Sequence, residues 1–315
     1  MSFWQQLNRP FTVLAPMDGI TDSIFRQMVC EAGKPDVCFT EFVNTDGILS
    51  EKAGIGIQQR LEFSAGERPI VAQLWGTEPE KFYRAAKKAA DLGFDGIDIN
   101  LGCPQRKVVK TGACAALISS SSSPSLREQV KEIIIAVREG GKLPVSIKTR
   151  IGSDIIITED WIGFLLAQKP DAVTIHARTI REKSAVPAHW DEIGKAVRLK
   201  NKMRSSTVII GNGDVKSLAE AKEKAHKYRT EGVMAGRAVL DNPWFFNPEA
   251  KVHTREERLE LWKKHLDLWE KTRGQDRNFA EMKKFVKVYI RGFDGAAEIR
   301  RKLMKADSVS EAVRM

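Results

Sequence analysis

The sequence predicts a (β/α)8 barrel followed by a small, all-helical domain. Three observations lead to this fold class: eight short apolar runs, helical stretches between most of them, and helical patterns alone after Asn247. Alternating strands and helices indicate a parallel sheet, and about 245 residues of such units fit a closed barrel, whose usual size is ~250 residues. We therefore expect a TIM-barrel domain over residues 1–247 and a C-terminal helical domain over residues 248–315.

The predicted strands are apolar without strict alternation, as is typical of strands that helices cover on both faces. In chain order they are Phe11–Met17, Val37–Val43, Pro69–Gly76, Gly96–Gly102, Pro144–Gly152, Ala172–Thr179, Thr207–Asp214 and Gly232–Ala238. Helical spacing of apolar residues predicts the connecting helices Asp22–Gly33, Glu78–Leu92, Leu126–Gly140, Glu159–Gln168, Asp191–Arg198 and Ser217–Tyr228. An open, doubly wound sheet is the main alternative, but its first strand would lead into a glycine-rich phosphate-binding turn. Here that strand ends in Ala-Pro-Met-Asp-Gly.

The C-terminal part reads as three helices and is basic. The helices are expected over residues 254–273, 279–291 and 295–305. Residues 251–315 carry 17 Lys and Arg against 11 Asp and Glu, so this part holds more than half of the net charge of +10. A basic excess favours a polyanionic partner such as nucleic acid or an anionic membrane, although a merely soluble surface has the same appearance.

Composition narrows the class of protein further. Hydrophobic residues make up 42% and charged residues 29% of the 315-residue chain, which is ordinary for a globular protein. No apolar run is long enough for a membrane helix, and the first residues lack the pattern of a secretory signal. The four cysteines fit neither a disulfide framework nor a zinc site. We expect a cytoplasmic protein with free thiols, no metal and no membrane partner.

Polar or reactive residues stand at nearly every predicted strand end. They are Met17 and Asp18, Glu41, Gln73, Asn100 and Cys103, Lys148 and Arg150, His176 and Arg178, Asn212 and Asp214, and Gly236 and Arg237. The active sites of (β/α)8 barrels lie at the carboxyl ends of the strands. A single polar residue there is compatible with a satisfied core position, but burying many of them costs free energy unless they are paired. Their recurrence predicts a functional site.

Two features of these strand ends suggest particular chemistry. The glycine turns Gly211–Asp214 and Ala235–Arg237 form the ends of the last two predicted strands, and such barrels often bind phosphate groups there. Two ordinary glycine turns remain the alternative. Cys103 is held between Gly102 and Pro104 with basic residues just behind it, which favours a presented thiol over a small buried hydrophobe.

Several motifs, taken in order along the chain, resemble those of the tRNA-dihydrouridine synthases. They are Ala-Pro-Met-Asp-Gly at 15–19, Asn-Leu-Gly-Cys-Pro at 100–104, Ser-Ile-Lys-Thr-Arg at 146–150, His-Ala-Arg-Thr at 176–179, Gly-Asn-Gly-Asp at 211–214, and Gly-Arg with Asn-Pro-Trp at 236–244. The segment from Tyr289 to Leu303 is similar to the helical domain of that family. The resemblance covers nearly the whole chain.

The resemblance implies an FMN-dependent enzyme that reduces uridines in the D-loop of tRNA to 5,6-dihydrouridine, with NADPH as a transient reductant. It implies flavin contacts along one side of the site, from Pro16, Met17, Asp18, Gln73 and Lys148. It places His176 against the FMN phosphate or ribityl chain. The residues that it implies for the phosphate end are Asn212, Gly213, Asp214, Gly236 and Arg237. Asn100 and Arg150 would contact the uridine. The resemblance further implies that a hydride would pass from reduced flavin to C6 and that Cys103 would give the proton to C5.

The chain departs from the family pattern at two places. Cys114 stands where the family usually has a glycine, which brings a second thiol near Cys103, and residues 180–188 lack the aromatic residue often found after His-Ala-Arg-Thr. A barrel acting on a free pyrimidine and a non-catalytic RNA-binding barrel are the alternative functions. The first needs no basic tail, and the second needs no Cys103, Lys148 or His176. A monomer suits an enzyme that wraps a tRNA.

Overall fold

The computed structural model describes residues 2–50, 54–118, 122–249 and 251–314. It divides into two compact units. The first comprises Met1–Ser23 and Pro35–Ala235, and the second comprises Ile24–Lys34 and Gly236–Met315. Every strand formed by the described residues belongs to the first unit, while the described part of the second unit is helical.

The first unit is a closed parallel barrel. Its strands are β1 (Phe11–Leu14), β2 (Cys38–Phe39), β3 (Val43–Asn44), β4 (Ile70–Trp75), β5 (Gly96–Leu101), β6 (Val145–Arg150), β7 (Ala172–His176), β8 (Val208–Asn212) and β9 (Gly232–Ala235). The strand order is β1-β9-β8-β7-β6-β5-β4-β2. Between β1 and β2, Leu14 N donates to Val37 O at 3.0 Å and Val37 N donates to Thr12 O at 3.1 Å, which completes the circle. The predicted (β/α)8 fold is confirmed.

The helices follow the strands as the sequence predicted. They are α1 (Phe3–Gln6), α2 (Ser23–Ala32), α3 (Thr45–Leu49), α4 (Ile55–Arg60), α5 (Pro79–Asp91), α6 (Arg106–Val109), α7 (Pro124–Gly141), α8 (Thr158–Ala167), α9 (Trp190–Lys202), α10 (Leu218–Tyr228), α11 (Arg237–Asp241), α12 (Arg255–Arg273), α13 (Val286–Tyr289), α14 (Ala296–Leu303) and α15 (Val309–Arg314). All six predicted connecting helices are confirmed, as α2, α5, α7, α8, α9 and α10. No helix of the described residues is long and apolar enough to cross a membrane.

The interior of the barrel changes from apolar to polar along the strands. One buried cluster joins Trp4 to Phe11, Phe39 and inward-facing residues of other strands. Successive side chains of a strand point to opposite faces, so every second residue faces the interior. In β5 the inward positions are Asp98 and Asn100, which alternate with buried apolar neighbours. The polar interior positions lie toward the carboxyl ends of the strands.

The second predicted strand, Val37–Val43, is broken by a bulge. Both β2 and β3 pair with β4, yet four steps from Phe39 to Val43 match only three steps from Val71 to Leu74. One extra residue in the strand is the definition of a β-bulge, which bends the strand and redirects its side chains. Glu41 lies in this bulge, and its carboxylate accepts a hydrogen bond from Gly19 N at 2.5 Å.

The second unit has its own apolar core. Thr254 and Glu257 form a capping box at the start of α12, and Phe25 of α2 stacks on Phe285 with ring centroids 5.1 Å apart. The segment predicted as one helix over 279–291 is instead a 3-10 helix, Phe279–Phe285, followed by α13. Its buried residues recur every third position, at Phe279, Met282 and Phe285, and a 3-10 helix places such residues on one face.

Candidate active site

A continuous chain of hydrogen bonds joins β4, β5 and the turn after β5. Gln73 donates through Nε2 to Asp98 Oδ2 at 2.8 Å, and Asn100 donates through Nδ2 to Gln73 Oε1 at 3.0 Å. The Asn100 Oδ1 atom then accepts the backbone N–H groups of Gly102 and Cys103, both at 3.0 Å. Two residues predicted for different ligands, Gln73 and Asn100, are therefore in direct contact. Together they anchor the turn that carries the predicted acid, Cys103.

Asp98, at the end of this chain, is a fully buried carboxylate. Ser146 Oγ donates to its Oδ1 atom at 2.6 Å, in addition to the bond from Gln73. Burial raises the pKa of Asp98 to about 6, while the two hydrogen bonds and the positive charge of Lys148 act in the opposite direction. Asp98 is thus ionised at neutral pH and becomes neutral under mildly acidic conditions.

Lys148 faces the interior from β6 with one hydrogen-bond acceptor and with the Asp98 carboxylate near enough to act on its charge. Its Nζ donates to Asn212 Oδ1 at 3.3 Å, and the Asn212 amide is oriented by donating to Met234 O at 2.8 Å. Burial, together with the nearby Arg150 guanidinium, lowers the pKa of Lys148 to about 8. An ammonium with one neutral acceptor in this position is available to an electron-rich group entering the barrel mouth.

Arg150 holds the loops around the site together. Its Nε donates to Gly102 O at 2.9 Å, and its Nη1 donates to Thr179 O at 3.0 Å and to Lys183 O at 3.2 Å. Burial and the Arg178 guanidinium lower the pKa of Arg150 to about 10, so it remains a cation at neutral pH. The residue predicted to contact the uridine also fixes the loops after β5 and β7.

The ends of β7 and β8 meet through Arg178. Its Nη1 lies 3.3 Å from His176 Nε2, its Nη2 donates to Asp214, and its Nε donates to Val186 O at 2.7 Å. The neighbouring Gly213 has a φ of +129°, a conformation that favours glycine. His176, Gly213 and Asp214, all predicted near the cofactor phosphate, are thus in one cluster at adjacent strand ends.

The loop after β1 carries three more predicted residues, Pro16, Met17 and Asp18. Met17 N donates to Thr21 Oγ1 at 2.8 Å, which stabilises the turn. Asp18 accepts a hydrogen bond from Arg60 Nη1 of α4 at 2.7 Å. The same guanidinium lies 3.5 Å from Glu41, so an ion-pair network connects this loop with the bulge after β2.

The two remaining predicted residues, Gly236 and Arg237, begin the second unit. They follow β9 directly in the chain, where Gly236 precedes α11 and Arg237 is its first residue.

Cys103 and Cys114 differ in their surroundings. Cys103 is half-buried, whereas Cys114 is fully buried and packs beside Cys103, Val108 and Ala113. Burial raises the pKa of both thiols, and in Cys114 the charge that Cys103 would carry adds to this effect. Both are protonated at neutral pH, but Cys103 alone of the two is open to a ligand. All four cysteines are free, and the described residues contain no cluster suited to a metal ion.

Sequence reasoning missed Asp98 and Ser146. Both lie inside strands, whereas the pattern that predicted the site consists of residues at the strand ends. An aspartate within the apolar run Gly96–Leu101 was the available signal, because a buried charge requires partners. The partners themselves come from β4 and β6, which are distant in sequence.

A barrel that gathers a thiol, an ammonium, a guanidinium and oriented amides at the carboxyl ends of its strands has the design of a barrel enzyme. A family model described as "Dihydrouridine synthase (Dus)" matches residues 13–315. This chain therefore belongs to the dihydrouridine synthase family, and it is an enzyme.

Curated relatives match over nearly their whole length. A "Probable tRNA-dihydrouridine synthase" of Staphylococcus aureus (strain COL) is 40% identical over 313 residues, which cover 99% of this chain and 93% of the relative. A "Probable tRNA-dihydrouridine synthase 2" of Bacillus subtilis (strain 168) is 39% identical over 312 residues, which cover 98% of this chain and 94% of the relative.

Solved structures share the fold at low sequence identity. Histamine dehydrogenase from Rhizobium sp. 4-9 superposes with a TM-score of 0.59 at 13% identity, covering 83% of this chain and 49% of that protein. A 2-naphthoyl-CoA reductase superposes with a TM-score of 0.57 at 12% identity, covering 75% of this chain and 49% of that protein. This chain thus spans about half the length of either protein, and the similarity supports the barrel architecture alone.

Proposed function

We propose that this protein is an FMN-dependent tRNA-dihydrouridine synthase that reduces D-loop uridines with NADPH as the reductant. The proposal rests on one observation above all. The thiol of Cys103 is presented on a turn that Asn100 anchors, beside the cationic side chains of Lys148 and Arg150. The names of the relatives support the tRNA-dihydrouridine synthase activity and do not bear on the reductant or on the uridine that is chosen.

The donor groups of the barrel mouth suit FMN. Lys148 provides an ammonium with one neutral partner, and Gln73 keeps one amide N–H after donating to Asp98. These donors match the electron-rich edge of an isoalloxazine ring. His176 and the turn at Gly213 and Asp214 suit the ribityl phosphate, because glycine lets backbone N–H groups approach a phosphate closely. Pro16, Met17 and Asp18 would line the ring, Asn212 would lie at the phosphate end, and Gly236 and Arg237 would add a glycine turn and a cation to the phosphate site.

The protein residues would supply binding and the proton. The hydride that uracil needs at C6 would come from reduced FMN held by these residues. Asn100 has one amide N–H left, which complements a uracil carbonyl oxygen, and Arg150 contributes a cation beside it. Cys103 then donates its proton to C5. Because burial raises the pKa of this thiol, it remains protonated at neutral pH, as a general acid requires.

The second unit would bind the tRNA. Its basic residues Lys283, Lys287, Arg300 and Arg301 line one open cavity between the segments 279–289 and 296–304. Lysine and arginine contacts to phosphates position RNA without reading its sequence. We assign the barrel domain to catalysis and the C-terminal helical domain to tRNA recognition.

Two half-reactions on two variants test the function. Wild-type protein should carry FMN, accept electrons from NADPH, and pass them to tRNA but not to free uridine. In Cys103→Ala, flavin reduction by NADPH should be unchanged, while reduction of tRNA should fall by about 10²–10⁴, the usual range for a lost general acid. Cys114→Ala is the matched control and should retain turnover, since its thiol is buried.

Each contrary outcome has its own meaning. Reduction of free uridine as fast as tRNA would point to a free-pyrimidine enzyme. Binding of tRNA without any flavin chemistry would leave a non-catalytic RNA-binding barrel. Full activity in Cys103→Ala, or its loss in Cys114→Ala alone, would show that the proton comes from another group.

A further inference from the structure

The fully buried carboxylate of Asp98 has no part in the roles assigned so far. It lies within β5, one inward position before Asn100, and its two oxygens accept hydrogen bonds from Gln73 and Ser146. Burying an ionised carboxylate is costly, and replacing such a group by an apolar residue is often neutral or stabilising. The buried carboxylate of Asp98 is therefore explained best by its effect on the residues that it contacts.

The hydrogen bonds that start at Asp98 run in one direction only. An ionised carboxylate accepts and cannot donate, so the Gln73 amide must present its N–H to Asp98 and its oxygen to Asn100. Asn100 in turn donates an N–H to Gln73, so its side-chain oxygen points toward the turn after β5. At the far end, the backbone N–H groups of Gly102 and Cys103 can only donate, and both are satisfied by that oxygen.

We propose that Asp98 is a positioning residue that acts through Gln73 and Asn100 to fix the turn carrying Cys103. It also determines what Asn100 offers to a ligand. The oxygen of Asn100 uses both lone pairs on the turn, so only one N–H remains, and it fits a carbonyl oxygen rather than a donor group. This inference rests on the proposed function for its substrate, but the hydrogen bonds themselves are independent of it.

The charge of Asp98 makes the first bond of the chain a strong one. Hydrogen bonds to an ionised acceptor are roughly twice as strong as neutral ones. The charged group acting on Asp98 is Lys148 of β6, while Gln73 of β4 and Ser146 of β6 are uncharged. The helices α5 and α7 outside β5 bury apolar side chains against the sheet. Because the pKa of Asp98 is raised to about 6, acidification removes the charge and weakens this bond.

The variants Asp98→Asn and Ser146→Ala separate positioning from mere packing. Asp98→Asn keeps the shape of the side chain but not its charge. Gln73, which Asp98 orients, is also a proposed flavin contact, so reduction of the flavin by NADPH should change by no more than about 2- to 3-fold. Turnover with tRNA should fall roughly 10- to 100-fold, as expected when a reacting group is misplaced by about an ångström. Ser146→Ala leaves the bond from Gln73 intact, so its turnover at pH 7.5 should match that of the wild type.

The pH profile is a readout that a purely structural role would not change. Wild-type tRNA turnover should decline as the pH falls through about 6, because Asp98 becomes neutral there. The Asp98→Asn profile should lack this decline and meet the wild-type curve at low pH. In Ser146→Ala the decline should move to higher pH, since the lost hydrogen bond is one that lowers the pKa of Asp98.

A third measurement needs neither flavin nor tRNA. Alkylation of Cys103 by iodoacetamide, followed by peptide mass spectrometry, should be several-fold faster in Asp98→Asn than in Ser146→Ala or the wild type, because the turn is less firmly held. Equal alkylation rates with equal tRNA turnover in Asp98→Asn and wild type would overturn the proposal. If the wild type reduces no tRNA, the proposed function fails and the alkylation comparison alone decides the role of Asp98. If Asp98→Asn does not fold, an unshifted profile in Ser146→Ala refutes the proposal.

Discussion

Replacing Lys148 with methionine should make the flavin-free protein more stable. The folded-state pKa of Lys148 is about 8, against an ordinary value of 10.5. Each unit of pKa difference corresponds to about 1.36 kcal/mol. The protonated side chain therefore costs the folded state about 3 kcal/mol at most, an upper value because Lys148 keeps partial access to solvent. Methionine has a similar length and no charge to desolvate.

The sign of the pH dependence follows from the lowered pKa. Below pH 8 both states bind the proton, and the folded state bears the full cost. As the pH rises from about 8 past 10.5, first the folded and then the unfolded lysine becomes neutral, and the cost disappears. The stability gap between Lys148→Met and wild type should thus be largest at pH 7 and should close near pH 10.5.

Thermal unfolding of flavin-free protein at pH 7, 9 and 10.5 measures this gap. At pH 7 the variant should melt roughly 6–12 °C higher, given about 2–4 °C per kcal/mol for a domain of this size. Lys202→Met, an exposed lysine on α9, is the matched control and should change stability by no more than about 0.5 kcal/mol. A Lys148→Met protein that is less stable than wild type, or a gap that does not depend on pH, would refute the reasoning. The same variant should bind FMN more weakly, since its ammonium is lost.

Two further predictions concern the phosphate turn and the basic cavity. Gly213→Ala should weaken FMN binding and destabilise the barrel by roughly 1–3 kcal/mol, because Gly213 has a positive φ and an added Cβ would lie 2.8 Å from Ala188 Cβ. Fluorescence titration measures FMN binding, and thermal melting measures stability. The control is Gly163→Ala on α8, where a Cβ meets only ordinary contacts, and it should not weaken FMN binding. The double variant Lys287→Ala/Arg301→Ala should weaken tRNA binding and lower the slope of log Kd against log salt concentration by about 1 for each lost phosphate contact. An unchanged slope, or an equal loss of tRNA affinity in the exposed control Lys263→Ala, would show that this cavity is not the RNA site.

The sequence was sufficient for the barrel strands because each one is an apolar run between turns. The bulge at Glu41 was not predictable in the same way, since it arises from the register of β2 and β3 on β4. The 3-10 helix at 279–285 has apolar residues at every third position, Phe279, Met282 and Phe285. A period of three and a period of 3.6 are hard to separate over seven residues, and a helix of the common type was expected instead.

The candidate site was predictable where one residue carries the signal. Lys148 and Cys103 stand at strand ends with chemistry that apolar strands do not need. Asp98 was not predicted, because its importance lies in contacts with Gln73 and Ser146, which come from two other strands. The ion pair of Asp18 with Arg60 of α4 has the same character. Contacts between segments that are distant in sequence form only in the closed barrel, so they cannot be predicted from the residues of either segment alone.

The two neighbouring thiols bear on the proton transfer that we propose for this site. A nucleophilic cysteine requires a lowered pKa, but burial raises the pKa of both Cys103 and Cys114. Cys114 has a φ of +54°, a conformation in which glycine is favoured, and this agrees with the glycine that the resembled family usually has there. Its thiol is buried and shielded from ligands. Cys103, half-exposed and protonated, is suited to give a proton rather than to attack, and a hydride acceptor such as uracil needs that proton at its neighbouring carbon.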